Sequence, residues 1–123
     1  MPTFDRHFIC SDSRAISWVK AAHKEFRKFP RGARITLLRA LNIAAEGSKS
    51  DIAKPMKGLG PGVFEIALVY RSDAYRMVYA VKLGVDIWVV HAFQKKLTKG
   101  IKTSKRVIDL IRSRIGQIKE QLR

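Results

Sequence analysis

The chain has 123 residues, and its 25 Lys and Arg against 10 Asp and Glu give a formal net charge of +15. This length predicts a single domain spanning residues 1–123, and a hydrophobic content of 46% excludes disordered and collagen-like classes. Cys10 is the only cysteine, and His7, His23 and His91 lack metal-ligand spacing, so we expect no disulfide, no metal and no cofactor. With no apolar stretch long enough for a membrane helix and no signal peptide, the sequence predicts a cytoplasmic protein without a membrane partner.

The positive charge is spread along the whole chain. Residues 1–60 carry 12 basic and 5 acidic side chains, and residues 61–123 carry 13 and 5. Because such a surplus costs self-repulsion unless an anionic partner offsets it, nucleic acid is the expected partner. The densest run without an acid consists of Lys95, Lys96, Lys99, Lys102, Lys105 and Arg106. We interpret this run as a phosphate-facing loop, and the alternative is a solvated loop that keeps the protein soluble.

The first half of the chain predicts a short strand followed by two helices. Residues 8–10 suit a strand, and residues 11–13 offer helix N-caps. Two apolar stripes at helical spacing then follow, formed by Ile16, Val19, Phe26 and Phe29, and by Ile35, Leu38, Leu41 and Ala45. The second helix is expected to end at Gly47, so the pair forms a helical hairpin. Residues 47–62 are rich in Gly and Pro and predict a loop.

From Val63 the apolar period changes from 3.6 to 2, which predicts three consecutive antiparallel strands. The third strand is expected to place His91 on one face with Val89 and Phe93. A seam of Ile108, Ile111, Ile115 and Ile118 predicts a C-terminal helix. The expected fold is therefore α+β: an antiparallel sheet, made of a short N-terminal strand and a three-strand meander, packs against the helical hairpin, with a C-terminal helix. We expect the helices to cover one sheet face.

Four motifs in this order resemble the RelE/ParE superfamily of toxins. They are AKPMKGLG from Ala53, GVFEI from Gly62, AYRMVY from Ala74 and HAFQKK from His91. The sequence is most similar to the phage-derived, HigB-like branch, and the resemblance covers roughly residues 14–115. It implies a RelE-like small domain that acts as the toxin of a type II toxin–antitoxin pair. Its expected partner is a cognate antitoxin, and the resemblance allows that this antitoxin itself binds DNA.

The resemblance implies one leading function and leaves two alternatives open. Many relatives are ribosome-dependent endoribonucleases, or mRNA interferases, that cleave messenger RNA without a metal or a small-molecule cofactor, so RNA on the ribosome is the expected partner. Other relatives are non-catalytic ParE-type toxins that act on DNA gyrase. The third hypothesis, which rests on the net charge alone, is a basic accessory protein that binds nucleic acid. We expect an acidic antitoxin segment to cover the run from Lys95 to Arg106 or to dock on the seam at Ile111, Ile115 and Ile118.

Metal-free RNA cleavage needs a proton acceptor, cations for the phosphorane and a donor for the leaving oxygen. The resemblance places Arg76 at the arginine of the family's Tyr-Arg strand and Lys95 at its basic residue after the last strand. With Lys96 and His91 they form the predicted catalytic set; a salt-bridged arginine, a solvated turn and a core histidine are the structural alternatives. Four more cations are predicted to bind RNA: Lys99, Lys102, Lys105 and Arg106.

The sequence departs from the family at three catalytic positions. Two lysines of RelE-like enzymes map to Glu65 and Ala67, and a tyrosine maps to about Thr103. If residues 71–74 form the hairpin turn, Glu65 lies ~13 Å from Arg76 along the strand. We therefore expect Glu65 to form a structural ion pair with Lys82 instead.

Overall fold

The computed structural model describes residues 14–96 and 104–122. Its elements in chain order are β1 (Ile16–Trp18), α1 (Lys20–Phe26), α2 (Arg31–Ala45), β2 (Ala53–Pro55), β3 (Val63–Tyr70), β4 (Asp73–Leu83), β5 (Asp86–Lys96) and α3 (Lys105–Gln121). The strands form one sheet in the order β1-β5-β4-β3-β2. This arrangement confirms the α+β class, the helical hairpin and the three-strand meander. Within the described ranges, the helices are too short or too polar to cross a membrane.

The described chain enters the sheet through β1, which pairs in parallel with β5 and places Ile16 opposite Ile87. The sheet is therefore mixed, and the prediction of a wholly antiparallel sheet is wrong. The expected strand at residues 8–10 lies outside the described residues. The prediction of a helix that includes Ile16 and Val19 is also wrong, because Ile16 belongs to β1 and Val19 is the N-cap of α1. β-branched and aromatic side chains favour a pleated surface, and this preference outweighs a short helical spacing.

Helices cover both faces of the sheet. α1 and α2 pack on one face in a core that includes Phe26, Leu37 and Tyr79. α3 packs on the other face, where its seam of Ile111, Ile115 and Ile118 is buried against strand residues such as Val78 and Val90. The expectation that the helices cover one face is therefore wrong, and the isoleucine seam is not a free docking groove.

α2 buries only part of the predicted stripe, because Leu41 and Ala45 are buried as expected whereas Ile35 and Leu38 are not. Its buried residues are Ala33, Leu37, Ala40, Leu41, Ala44 and Ala45. Ile35 and Leu38 are instead 41% and 38% exposed. The small alanine side chains let the helix lie close to the sheet, whereas the prediction followed the larger apolar residues. Gly47 follows the end of the helix as expected, with a left-handed φ of 95°.

The predicted loop at residues 47–62 contains β2, a short strand that pairs with β3 through Ala53 and Ile66. The expectation that proline excludes regular structure here is wrong. β2 is the last strand in the sheet order, and an edge strand tolerates Pro55 because one side of its backbone needs no partner.

The β3–β4 hairpin has a tighter turn than the sequence suggested. Tyr70 pairs with Asp73 across a two-residue turn, in which Arg71 takes a left-handed φ of 61°. Arg76 therefore lies opposite Ala67, and Glu65 lies opposite Val78, each two residues from the partner that a four-residue turn would give. This shift of two residues brings Glu65 to a position diagonal to Arg76.

A β-bulge interrupts the β4–β5 pairing. Val78 pairs with His91, but the next residue, Tyr79, pairs with Val89, so Val90 is the extra residue. The bulge reverses the predicted alternation beyond Val90. His91 consequently lies on the α3 face of the sheet, and the prediction that it shares a face with Val89 is wrong.

The corrected orientation of α2 predicts unequal costs for truncating two neighbouring leucines. Leu37 is fully buried, so Leu37→Ala should lower the free energy of unfolding by about 2–5 kcal/mol through lost burial and a residual cavity. Leu38→Ala should cost less than about 1 kcal/mol, because Leu38 faces solvent. Urea denaturation of both variants tests this difference. A greater loss for Leu38→Ala would contradict the assigned face.

Candidate active site

Three neighbouring strands place a carboxylate, a guanidinium and an imidazole on the sheet face that α3 covers. Glu65 on β3 and His91 on β5 lie opposite Val78 from its two sides. Neighbouring strands are ~4.8 Å apart, so the backbones of Glu65 and His91 are roughly 10 Å apart. Arg76 lies two residues before Val78 on β4 and shares its face. The three chemically active residue types therefore converge around one stretch of the central strand.

Arg76 and Glu65 form an ion pair. The Nη1 atom of Arg76 donates to Oε1 of Glu65 at 3.1 Å. The two side chains are only 9% and 17% exposed. The contact corrects the predicted pairing of Glu65 with Lys82, and its cause is the two-residue turn. A largely buried pair of this kind costs desolvation, and loss of one partner weakens the compensation of the other charge.

His91 is held by Arg114 of α3. The Nη1 atom of Arg114 donates to the Val90 carbonyl at 2.9 Å and lies 2.9 Å from Nδ1 of His91. Because a guanidinium can only donate, Nδ1 accepts this hydrogen bond and the ring proton is on Nε2. The imidazole also stacks on Phe93, with the ring centroids 5.1 Å apart.

This environment makes His91 a neutral hydrogen-bond donor. Burial and, to a smaller extent, the charge of Arg114 lower its pKa from 6.5 to about 4, and Glu25 partly opposes this shift. At neutral pH the imidazole is therefore uncharged, and its Nδ1 lone pair is already used. His91 can donate from Nε2, but it is a poor proton acceptor.

The other predicted cations are placed unevenly. Lys95 and Lys96 end β5, where their backbones pair with Ala74 and Asp73. Lys105 and Arg106 are exposed in the first turn of α3, a turn that contains no acid. Lys99 and Lys102 lie outside the described residues. The fold thus brings Arg76 and His91 to one face, while the assignments of all eight residues to RNA remain predictions.

The sequence profile of the family described as Phage derived protein Gp49-like matches residues 24–116 of this chain. The chain belongs to the phage-derived Gp49-like family. A comparison of the Gp49-like chain with curated proteins finds no significant sequence match.

Solved structures of RelE toxins are similar to the Gp49-like chain. A double arginine-to-alanine variant of the Escherichia coli toxin RelE in the free state is 26% identical, with a TM-score of 0.61 over 84% of this chain and 98% of that toxin. The isolated E. coli RelE toxin is 24% identical, with a TM-score of 0.54 over 82% and 98%. The RelBE2 toxin–antitoxin complex of Mycobacterium tuberculosis gives 15% identity and a TM-score of 0.44 over 70% and 95%. The predicted membership of the RelE-like superfamily and its fold are confirmed.

Glu65 and Arg114 are polar residues of this face that are absent from the predicted catalytic set. The assumed width of the turn placed Glu65 too far from Arg76 for it to belong to that set. Arg114 carries a usable signal, because it lies three residues after Ile111 and four before Ile118, on the buried side of α3. Within residues 14–96 and 104–122, no three His, Cys, Asp or Glu side chains are grouped as metal ligands.

The lowered pKa of His91 predicts a pH-dependent stability. Between about pH 6.5 and about pH 4 the unfolded imidazole binds a proton that the folded one does not, so the free energy of unfolding should fall as the pH falls through this window. The expected loss is about 1–3 kcal/mol and levels off at lower pH. Urea unfolding of wild type and His91→Gln across this range measures it.

The variant serves as the control, because carboxylates titrate in the same range in both proteins. The difference in the pH dependence of the free energy of unfolding between wild type and His91→Gln should equal the contribution of His91. The His91 imidazole signal is assigned in nuclear magnetic resonance spectra by its loss in His91→Gln. Titration of that signal near the ordinary value of 6.5 would contradict the assigned environment.

Proposed function

We propose that this Gp49-like chain is the toxin of a type II toxin–antitoxin pair and that it cleaves messenger RNA on the ribosome. The observation that carries the proposal is the buried pair of Glu65 and Arg76, set in a fold that matches a RelE toxin. The formal charge of +15 supports an RNA target, because cations on the surface neutralise phosphates.

The reaction is attack of the RNA's own 2′-hydroxyl on the adjacent phosphorus. Glu65 takes the hydroxyl proton, and the 2′-oxygen forms a bond to phosphorus. The bond from phosphorus to the 5′-oxygen then breaks, and that oxygen takes a proton from solvent. Glu65 returns its proton to solvent after the reaction. The products are a 2′,3′-cyclic phosphate and a 5′-hydroxyl, so no water is consumed in this step.

Arg76 is the group best suited to the developing phosphorane charge. Its guanidinium carries several N–H donors in a fixed plane and is anchored on the central strand beside the proposed base. A group positioned before the reaction needs little reorganisation in the transition state. His91 donates a hydrogen bond to RNA in this proposal and does not transfer a proton.

The assignment of Glu65 accounts for a departure from the family. The lysine that the resemblance implies at this position is absent, and a carboxylate stands there instead. A carboxylate accepts a proton directly, whereas a lysine must first lose one. The same strand position can therefore carry the base with a different residue.

A non-catalytic toxin that acts on DNA gyrase is the second candidate. The low exposure of Arg76 and Glu65 favours it, because their pairing alone satisfies a purely structural role. A toxin of this kind needs a protein-binding surface and no acid–base group.

Induced expression of the wild-type chain separates these functions. Mapping of RNA 5′ ends should reveal cuts inside reading frames together with growth arrest. DNA damage signalling without such cuts would replace the proposal with the gyrase-type function. Unimpaired growth with intact messenger would overturn the assignment as a toxin.

Glu65→Gln is the sharpest test of the proposed base. The amide keeps the size and an acceptor for Arg76 but cannot take the proton, so cleavage of messenger on purified ribosomes should fall ~10²-fold or more. Arg76→Ala should lose at least as much through lost stabilisation of the phosphorane, and Lys95→Ala and Lys96→Ala should each lose less. Glu46→Gln, at an exposed glutamate beyond α2, is the matched control and should cleave normally.

Thermal unfolding and circular dichroism must first show that each variant is folded. A folded Glu65→Gln protein that cleaves at the wild-type rate would remove Glu65 from the mechanism. Faster cleavage by Glu65→Gln would show that Glu65 restrains Arg76 and does not act as the base.

Binding to RNA should depend steeply on salt. If about five phosphates are neutralised, the logarithm of the binding constant should fall with the logarithm of salt concentration at a slope of roughly −3 to −5. Removal of two exposed cations in Lys105→Gln/Arg106→Gln should make the slope shallower by about 1–2. Fluorescence anisotropy with a labelled single strand measures both slopes. A slope near zero for wild type would contradict a phosphate-binding surface.

A further inference from the structure

The outer side of α2 carries apolar side chains that the core does not use. Ile35 and Leu38 are 41% and 38% exposed and lie on the side of the helix away from buried Ala33 and Leu37. Arg31 and Arg39 are also exposed on this side, one near each end of the apolar pair. We name these four residues the α2 ridge.

The surroundings of the α2 ridge are strongly basic. Residues 20–46 contain seven Lys and Arg and only two Asp and Glu. α2 itself has three arginines and no acid. Of the two acids in the segment, Glu25 pairs with Lys28 at 3.2 Å, so it does little to offset the arginines of α2. The ridge therefore combines an aliphatic centre with a positive border.

We propose that the α2 ridge is the docking surface for an acidic, amphipathic segment of the antitoxin, an inference that rests on the proposed toxin function. Apolar side chains of the segment pack on Ile35 and Leu38, and its carboxylates pair with Arg31 and Arg39. Apolar anchors with a charged border are the usual anatomy of a specific protein interface.

The same observations argue against other occupants. An aliphatic pair offers RNA neither a phosphate contact nor a stacking surface, so RNA would use only the arginines. A second copy of this chain would bring like charges together, because it carries the same arginines and the same charge of +15. The isoleucine seam of α3 is already buried against the sheet.

The position of the ridge separates docking from catalysis. α2 and α3 pack on opposite faces of the sheet, and Glu65 and Arg76 lie on the α3 face. Loss of the ridge should therefore weaken the antitoxin and leave RNA cleavage intact. A chain changed in this way should escape neutralisation.

The test uses the full chain and the protein encoded with it as the second partner of the pair. Ile35→Gln/Leu38→Gln removes the apolar pair and keeps good helix formers, and it should weaken the complex about 10–100-fold in calorimetry. Val69→Gln/Val85→Gln is the matched control, because both valines are exposed at hairpin ends away from α2, and it should stay within about threefold of wild type. Arg31→Glu/Arg39→Glu should slow association, whereas Lys54→Glu/Lys57→Glu should have a smaller effect.

Hydrogen exchange should show new protection of α2 in the complex. Wild-type affinity of the folded Ile35→Gln/Leu38→Gln variant for the antitoxin would overturn the docking site. The docking site would also be overturned if this variant bound RNA more weakly but bound the antitoxin normally. Failure of the wild-type pair to form a complex would also overturn it, although cleavage by the chain alone would leave the proposed function standing. If the complex forms and depends on the ridge, but expression of the chain does not arrest growth, only the toxin function would be refuted.

Discussion

The arrangement of polar groups on the α3 face depends on the ion pair between Arg76 and Glu65. Two charged groups with so little exposure are stabilised when each helps to compensate the other, and the sheet holds them within hydrogen-bond distance. The two-residue turn at Arg71 sets that distance, because it fixes which β3 residue stands opposite each β4 residue. A turn two residues wider would move the two charged side chains out of hydrogen-bond distance. The geometry of this turn thus determines whether Arg76 on β4 can pair with the carboxylate of Glu65 on β3.

The central strand separates the two faces of the sheet. β4 is buried on both sides, with Tyr79 packed toward α2 and Val78 toward α3. The bulge at Val90 then assigns His91 to the α3 face, where Arg114 fixes its tautomer. The polar groups that we propose act on RNA are thereby collected on one face, and the α2 ridge lies on the other. The two faces therefore offer separate surfaces for the proposed RNA target and the proposed antitoxin.

The sequence predicts most of the elements because their apolar periods are local properties. The alternation through β3 and β4 and the isoleucine seam of α3 are confirmed. Register and packing depend on longer-range geometry, so the sequence placed neither the partner of Glu65 nor the face of His91. The buried face of α2 was predicted only in part, because alanine contributes little to an apolar stripe although it permits the closest approach to the sheet. Four ordered motifs were enough to predict membership of the superfamily, but they did not predict that Glu65 pairs with Arg76.

The central claim is that the RNA supplies its own nucleophile and that the α3 face only activates it. The most direct measurement is cleavage on purified ribosomes of a messenger that carries a single 2′-deoxynucleotide on the 5′ side of the cut mapped with wild-type protein. This messenger should be bound normally but should not be cut at that bond, whereas the all-RNA control should yield a 2′,3′-cyclic phosphate and a 5′-hydroxyl. Cleavage of the deoxy-substituted messenger at the control rate would mean that an external nucleophile attacks the phosphorus, and it would contradict the role proposed for Glu65.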